Sequence, residues 1–217
     1  MTGVQTCPLP IYGASLLRAQ FYFSYGSALE RSGRLADAEV ALEQCLKLDR
    51  DFAEAWNYLA YMWADRGVHL PKAMEYVHEA LKREPDNGAF LDTLGWVHFR
   101  QGRTEEALKH LERSIEALPG EDATVLDHTG DALARLGREA EAVKRWTRAF
   151  VLDPTIAGLR AKLEARKVDL APLLKQAEAE KQRAEREMNR LSPGDPEGLV
   201  EDEEPVDGDD GEPSDTP

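Results

Sequence analysis

The sequence predicts an all-α fold, a right-handed superhelix built by stacking pairs of helices. Three observations carry this prediction. Small residues recur as Gly26, Ala60, Gly95 and Gly130, and glycines as Gly33, Gly67, Gly102 and Gly137, with spacings of 34, 35 and 35 residues in both series. Alanines recur between them at Ala38, Ala73, Ala107 and Ala142, and prolines follow at Pro85, Pro119 and Pro154. A fixed period near 34 residues marks a stack of like units, none of which buries its apolar face alone.

Alignment on the glycines divides residues 12–156 into four units, 19–52, 53–87, 88–122 and 123–156, each read as two antiparallel helices. In the third unit Leu91, Leu94, Gly95 and His98 share one face of a first helix. Gly102 ends it, because the left-handed backbone beyond a helix suits glycine. Ala107, Leu111 and Ser114 share one face of the second helix, and Pro119 stops it for want of an N–H. The small residues at the first glycine column are expected to meet Leu42, Val77, Leu111 and Trp146 of the second helices. Arg50 replaces the closing proline of the first unit, and the second unit carries one extra residue in its turn around His69 to Pro71.

Beyond Pro154 the periodicity stops. Ile156, Leu159 and Leu163 predict an amphipathic capping helix over 156–167. Terminal units of a stack need such a polar-backed cover. A further helix is expected from about Asp169 to Leu191, apolar only at its start.

This pattern resembles the tetratricopeptide repeat family over residues 19–156. Trp56, Leu59, Ala60 and Trp63, followed by Ala73 and Pro85, nearly spell its signature in one unit. Departures are Tyr25 and Thr129 for leucine, His98 for an aromatic and Arg50 for proline, with Thr129 and Arg50 expected to loosen their units locally. The stretches NYLAYMWADRG, DTLGWVHFRQGR and DHTGDALARLGREAEAVKRW look like the C-terminal repeats of larger bacterial members. Some of these relatives are envelope lipoproteins acting as adaptors, so the resemblance favours a periplasmic or envelope location over the cytoplasm.

The chain ends bound these expectations. The chain of 217 residues carries a net charge of −14, but eleven of its 41 acids lie between Asp195 and Asp215, leaving −3 on the rest. That tail, 192–217, is too polar to fold and is expected to be disordered. The remainder lacks the basic surface that nucleic-acid binding requires, and no apolar run is long enough to span a membrane. MTGVQTCPLPI, residues 1–11, resembles the translation of a sequencing-library adaptor, departing from it at Pro8, and is read as a non-native leader. The sequence thus leaves room upstream for a signal peptide, a lipid anchor or further repeats. Cys45 is then the one informative cysteine, and a lone thiol makes no internal disulfide.

The resemblance implies a concave groove that takes a peptide or helix of another protein. Its lining falls on first-helix residues facing away from the second helix, spaced three to five apart. These are Phe23, Ser27 and Arg31, then Asn57, Tyr61 and Asp65, then Asp92, Trp96 and Phe99 or Arg100, then Asp127, Asp131 and Arg135. Trp96 is expected to stand exposed beside Tyr61 as a binding hot spot of about 2 kcal/mol, with packing on a neighbouring helix as the structural alternative. Trp56, Trp63 and Trp146 fall on core columns. The aspartates are expected to make the groove acidic and suited to a basic and apolar segment, with pairing to Arg100 and Arg135 as the structural alternative. The clamp of lysine, arginine and asparagine that grips a terminal carboxylate in one branch of the family is absent, because the corresponding residues here are mainly acidic or aromatic.

Enzyme readings find no support. The chain contains no G-x-x-x-x-G-K, G-x-S-x-G or H-E-x-x-H. His69, His78, His98, His110 and His128 fall on different helices and faces, and Asp207 to Glu212 lacks calcium-loop spacing. The chain is therefore read as a non-enzymatic scaffold with no cofactor and no metal. The alternative is an accessory module of a larger enzyme or regulator. An aromatic cluster, Phe21, Tyr22, Phe23 and Tyr25, is expected to support self-association if a preceding repeat is missing.

Overall fold

The computed structural model describes residues 11–191, so the acidic tail and all but the last residue of the expected leader lie outside it. The described residues form ten helices and no strand. The first unit is α1 (Ile11–Arg31) and α2 (Leu35–Leu48), and the second α3 (Ala53–Arg66) and α4 (Leu70–Arg83). The third is α5 (Gly88–Arg100) and α6 (Thr104–Ala117), and the fourth α7 (Ala123–Arg135) and α8 (Glu139–Leu152). Then come α9 (Leu159–Glu164) and α10 (Ala171–Leu191).

Each first helix packs on its own second helix, and α2, α4 and α6 also pack on the first helix of the following unit. The fold is therefore a solenoid of consecutive helix pairs. Among the described residues, those up to Ala177 make one compact unit and those from Glu178 onward belong to a second. In the latter, the outer part of α10 is solvent-exposed and held by pairs such as Gln182 donating to Glu178 at 2.8 Å.

Both glycine columns behave as the spacing requires. Gly33, Gly67, Gly102 and Gly137 have φ of 78°, 68°, 81° and 76°. At each, the glycine N–H and the next N–H bond back to the helix, as Gly102 does to Phe99 and Arg103 to His98. In the other column the constraint is close approach. A Cβ added at Gly26 would stand 2.8 Å from Leu42, at Gly95 2.7 Å from Leu111, and at Gly130 2.5 Å from Trp146. The extra residue of the second unit is taken up by His69, which adopts a left-handed φ of 50° before Pro71 enters the first turn of α4.

Capping explains the firm starts of α5 and α7. Asn87 accepts from the N–H groups of Ala89 and Phe90, and Asp122 from those of Thr124 and Val125. Where Arg50 replaces proline, its carbonyl is used twice, accepting from Trp56 Nε1 at 2.8 Å and from Arg83 at 2.6 Å. Thr129 is fully buried and donates to the Val125 carbonyl at 2.7 Å. Neither position is left without a partner, in contrast to the loosening expected from the sequence.

Trp63 and Trp146 are buried and Trp56 is half-buried against Tyr76, so these three serve the core as expected. Cys45 is buried, and burial with Asp49 and Glu54 nearby pushes its thiol up to about 12, which keeps it protonated and unreactive. The expected capping helix is shorter than predicted. Residues 154–158 turn, Gly158 takes a φ of 79°, and only Leu159–Glu164 is helical, with Leu159 and Leu163 fully buried.

Candidate functional site

The first helices place the predicted lining residues in three columns, each one repeat apart. Along the first column stand Phe23, Asn57, Asp92 and Asp127, and along the second Ser27, Tyr61, Trp96 and Asp131. Arg31, Asp65, Arg100 and Arg135 make the third. Bonds between neighbouring units run along these columns.

Trp96 is not exposed. It retains 7 % of its surface, because the His128 ring from α7 stacks on it at 4.0 Å and 11° and Phe99 stacks on it at 4.9 Å. It points away from its own helix pair, as the sequence indicates, but the next unit covers it. Tyr61 lies beside the same imidazole at 6.2 Å and remains half-buried.

The acids divide in two. Asp92 and Asp127 are 6 % and 7 % exposed, which corrects the expectation that both line an open acidic groove. Asp92 meets His128 Nδ1 at 2.9 Å. Burial disfavours charge on that ring, but Asp92, with Asp127 and Asp131 nearby, raises the His128 pKa above its ordinary value. Asp127 receives both oxygens' bonds from Lys162 Nζ at 2.7 and 2.9 Å, and the same ammonium reaches Asp131 at 2.6 Å. Burial raises the Asp127 pKa, and Lys162 opposes the rise. The arginines named as structural partners for these acids do something else. Arg100 bonds the Asp65 carbonyl and Arg135 the Phe99 carbonyl, each closing the end of the preceding first helix. Gly67 leaves the room Arg100 occupies, since a Cβ there would lie 2.6 Å from its guanidinium.

At the other end the columns stay open. Glu30, Tyr58, Tyr61, Met62, Asp65 and Arg66 border a cleft of about 270 Å³ with Leu35 at its edge. The Glu30 carboxylate accepts from Tyr58 at 3.1 Å. The Asp65 carboxylate is exposed and has no cation at ion-pair distance among the described residues. Burial and the negative field of Asp65, Asp92, Glu30 and Asp127 push the Tyr61 phenol far up, so it stays a neutral donor. Phe23 packs on Phe52 and Tyr58 at 5.0 and 5.8 Å, Ser27 is buried and bonded by Arg31 at 2.7 Å, and the half-buried Asn57 keeps a buried amide oxygen without a partner.

Lys162 was not foreseen, yet its signal is present. It follows Asp127 by 35 residues, and Arg166 follows Asp131 by 35. The capping helix and the turn after it thus continue the first two columns as a degenerate fifth first helix. Hydrophobic periodicity does not reveal this, because Pro154 closes the last unit that carries the full apolar pattern. The histidines also gather more than expected. His98 and His110 stack at 5.2 Å and 13°, although no group of three metal-ligating side chains forms among the described residues. Nor is any described helix long and apolar enough to cross a membrane.

The fold and its columns define a stacked helix-pair repeat protein whose units are joined through bonds between first helices and through each second helix packing on the next unit. Models of the tetratricopeptide repeat match residues 19–62 and 88–121, and the chain carries tetratricopeptide repeats. It is 34 % identical over 102 residues to the TPR repeat-containing protein PA4667 of Pseudomonas aeruginosa. That match covers 47 % of this chain and only 17 % of the relative. The fold is similar to a Pseudomonas aeruginosa structure from a functional characterisation of pilF, with a TM-score of 0.59, 20 % identity and 75 % of each chain covered. It is also similar to part of the Thermobaculum terrenum O-GlcNAc transferase, with a TM-score of 0.58, 18 % identity, and 65 % of this chain and 27 % of that one covered.

Proposed function

We propose that this chain is a non-catalytic scaffold that holds a basic and apolar segment of another protein against its first helices, centred on the cleft at Tyr61 and Asp65. The observation that carries the proposal is the unequal charge balance along the columns. Acids at the C-terminal end are already paired with His128 and Lys162, whereas the Asp65 carboxylate faces solvent beside an apolar, aromatic wall. A lysine or arginine of a partner gains a carboxylate there without displacing an internal cation. The neighbouring tyrosines supply broad apolar faces with polar tips. Lys162 serves as an internal example of the chemistry, a helix-borne ammonium seated between two carboxylates.

The test uses a labelled amphipathic peptide of lysine and leucine, and the same peptide with glutamate for lysine. Fluorescence anisotropy should show the basic peptide binding and the acidic one not. Asp65→Asn and Tyr61→Ala should each weaken it several-fold, with thermal melting of Asp65→Asn unchanged. Equal binding of both peptides, or indifference to both substitutions, removes the cleft from the proposal.

A narrower form places the scaffold as an adaptor in a bacterial envelope complex, resting on the likeness of its repeats to those of larger bacterial proteins. An accessory module of a larger enzyme is the second reading. It draws on the O-GlcNAc transferase, of which the part similar to this chain covers 27 %. The full reading frame separates the two: an upstream lipoprotein signal supports the first, an upstream catalytic domain the second.

A further inference from the structure

Two first-helix positions are core in units two to four and open in unit one. Ala55, Phe90 and Val125 are 0 %, 2 % and 3 % exposed, but Phe21 in the same column is 62 % exposed. Leu59, Leu94 and Thr129 are likewise buried, but Tyr25 is 44 % exposed. In the later units α2, α4 and α6 cover this face. On α1 no described helix does so, although the residues there are larger and more aromatic. Phe21 and Tyr25 stack at 6.0 Å and 11°, presenting a flat apolar surface.

The apolar stripe also extends beyond the repeat. Leu17, at the register of the loop acids Asp51, Asp86 and Glu121, is 76 % exposed on the same helix. Val40 on α2 is exposed where the other units carry Glu75, Lys109 and Lys144. Tyr22, Tyr25, Leu29 and Val40 line a cleft of about 370 Å³ whose rim charges, Arg34 and Asp37, neutralise one another at 2.7 Å. A contiguous apolar patch of this kind marks an interaction surface.

We propose that this face of α1 is the contact between two copies of the chain, paired isologously about Phe21. Two features select a second copy. First, α1 runs unbroken from Ile11 through the register where the loops before α3, α5 and α7 lie, so the repeat's own short connection does not deliver a covering helix here. Second, Leu17, Phe21 and Tyr25 are spaced by four residues, so two antiparallel α1 helices set Leu17 of one against Tyr25 of the other. A two-fold contact needs a surface that complements itself. An aromatic stripe with an internally paired rim does so without opposing like charges.

The test is analytical ultracentrifugation of the whole 217-residue chain across the micromolar range. A concentration-dependent dimer is expected. Phe21→Glu should weaken it by about tenfold or more, as loss of a buried aromatic anchor does. Val40→Lys, which installs the charge that the third and fourth units carry, should weaken it less, and circular dichroism should show the same helicity and melting for both. Asp65→Asn should leave the dimer intact, which separates this contact from the partner cleft. A monomer at every concentration overturns the proposal. So does a dimer indifferent to both Phe21→Glu and Val40→Lys, which would place association on another surface.

Discussion

The two ends of the inner columns use the same positions differently. In the third and fourth units Asp92 is closed by His128, and Asp127 and Asp131 by Lys162, within a buried layer that includes Trp96. In the first two units Asp65 and Tyr61 border an open cleft, and no α9-like element reaches them. Column position alone therefore does not make a residue available to a partner. What matters is whether the following unit supplies a group that fills the space. His128 does this for Trp96, and Lys162 does it for Asp127.

Replacing Trp96 gives the largest expected effect. Trp96→Ala leaves a gap between His128 and Phe99 and should cost about 3 kcal/mol or more in urea denaturation. An unchanged midpoint would show Trp96 to be a surface residue and erase the contrast. Lys162→Met comes next. It leaves Asp127 buried without its cation, and because Lys162 is 24 % exposed the loss should be about 1–2 kcal/mol, below that of a fully buried pair. The same variant should gain affinity for the basic peptide, since it frees two acids. Lost stability with no gain in binding would confine those acids to a structural role.

A pH titration sharpens the comparison within the third unit. Burial, with Arg103, His110 and His78 outweighing Glu106, lowers the His98 pKa from 6.5 to about 4. Burial with Arg113, Lys109 and His78, against Glu106, lowers that of His110 too. The unfolded chain takes up these protons first, so the stability is present above pH 6.5 and is lost as pH falls toward 4. His98→Phe should flatten that acid limb. His128 has the opposite sign. Its raised pKa gives stability that is full below the ordinary histidine value of 6.5 and lost as pH rises through the raised one. The smallest expected effect on stability is that of Asp65→Asn, within about 0.5 kcal/mol for an exposed side chain.

Much of the architecture was legible because repetition makes local rules visible four times over. Positive φ after a helix demands glycine, and close helix approach tolerates only a small residue, so Gly102 and Gly95 announce a turn and a contact wherever the period places them. The pairing of Gly130 with Trp146 followed from the same spacing. The candidate site was legible only as columns. Tyr61 and Asp65 could be placed on an inner face, as could Trp96. The sequence did not show that His128 would fold over one and leave the others beside open space.

Sequence by itself determined the four helix pairs, their turn glycines, their intra-unit contacts and the face each first helix turns inward. These are set by steric limits within one unit, over a few turns of helix. Tertiary structure alone decided which inward residues stay accessible and which acids acquire cations. Those outcomes depend on the distance between side chains about 35 residues apart on successive helices, where differences of a few ångströms decide between an ion pair and an open cleft.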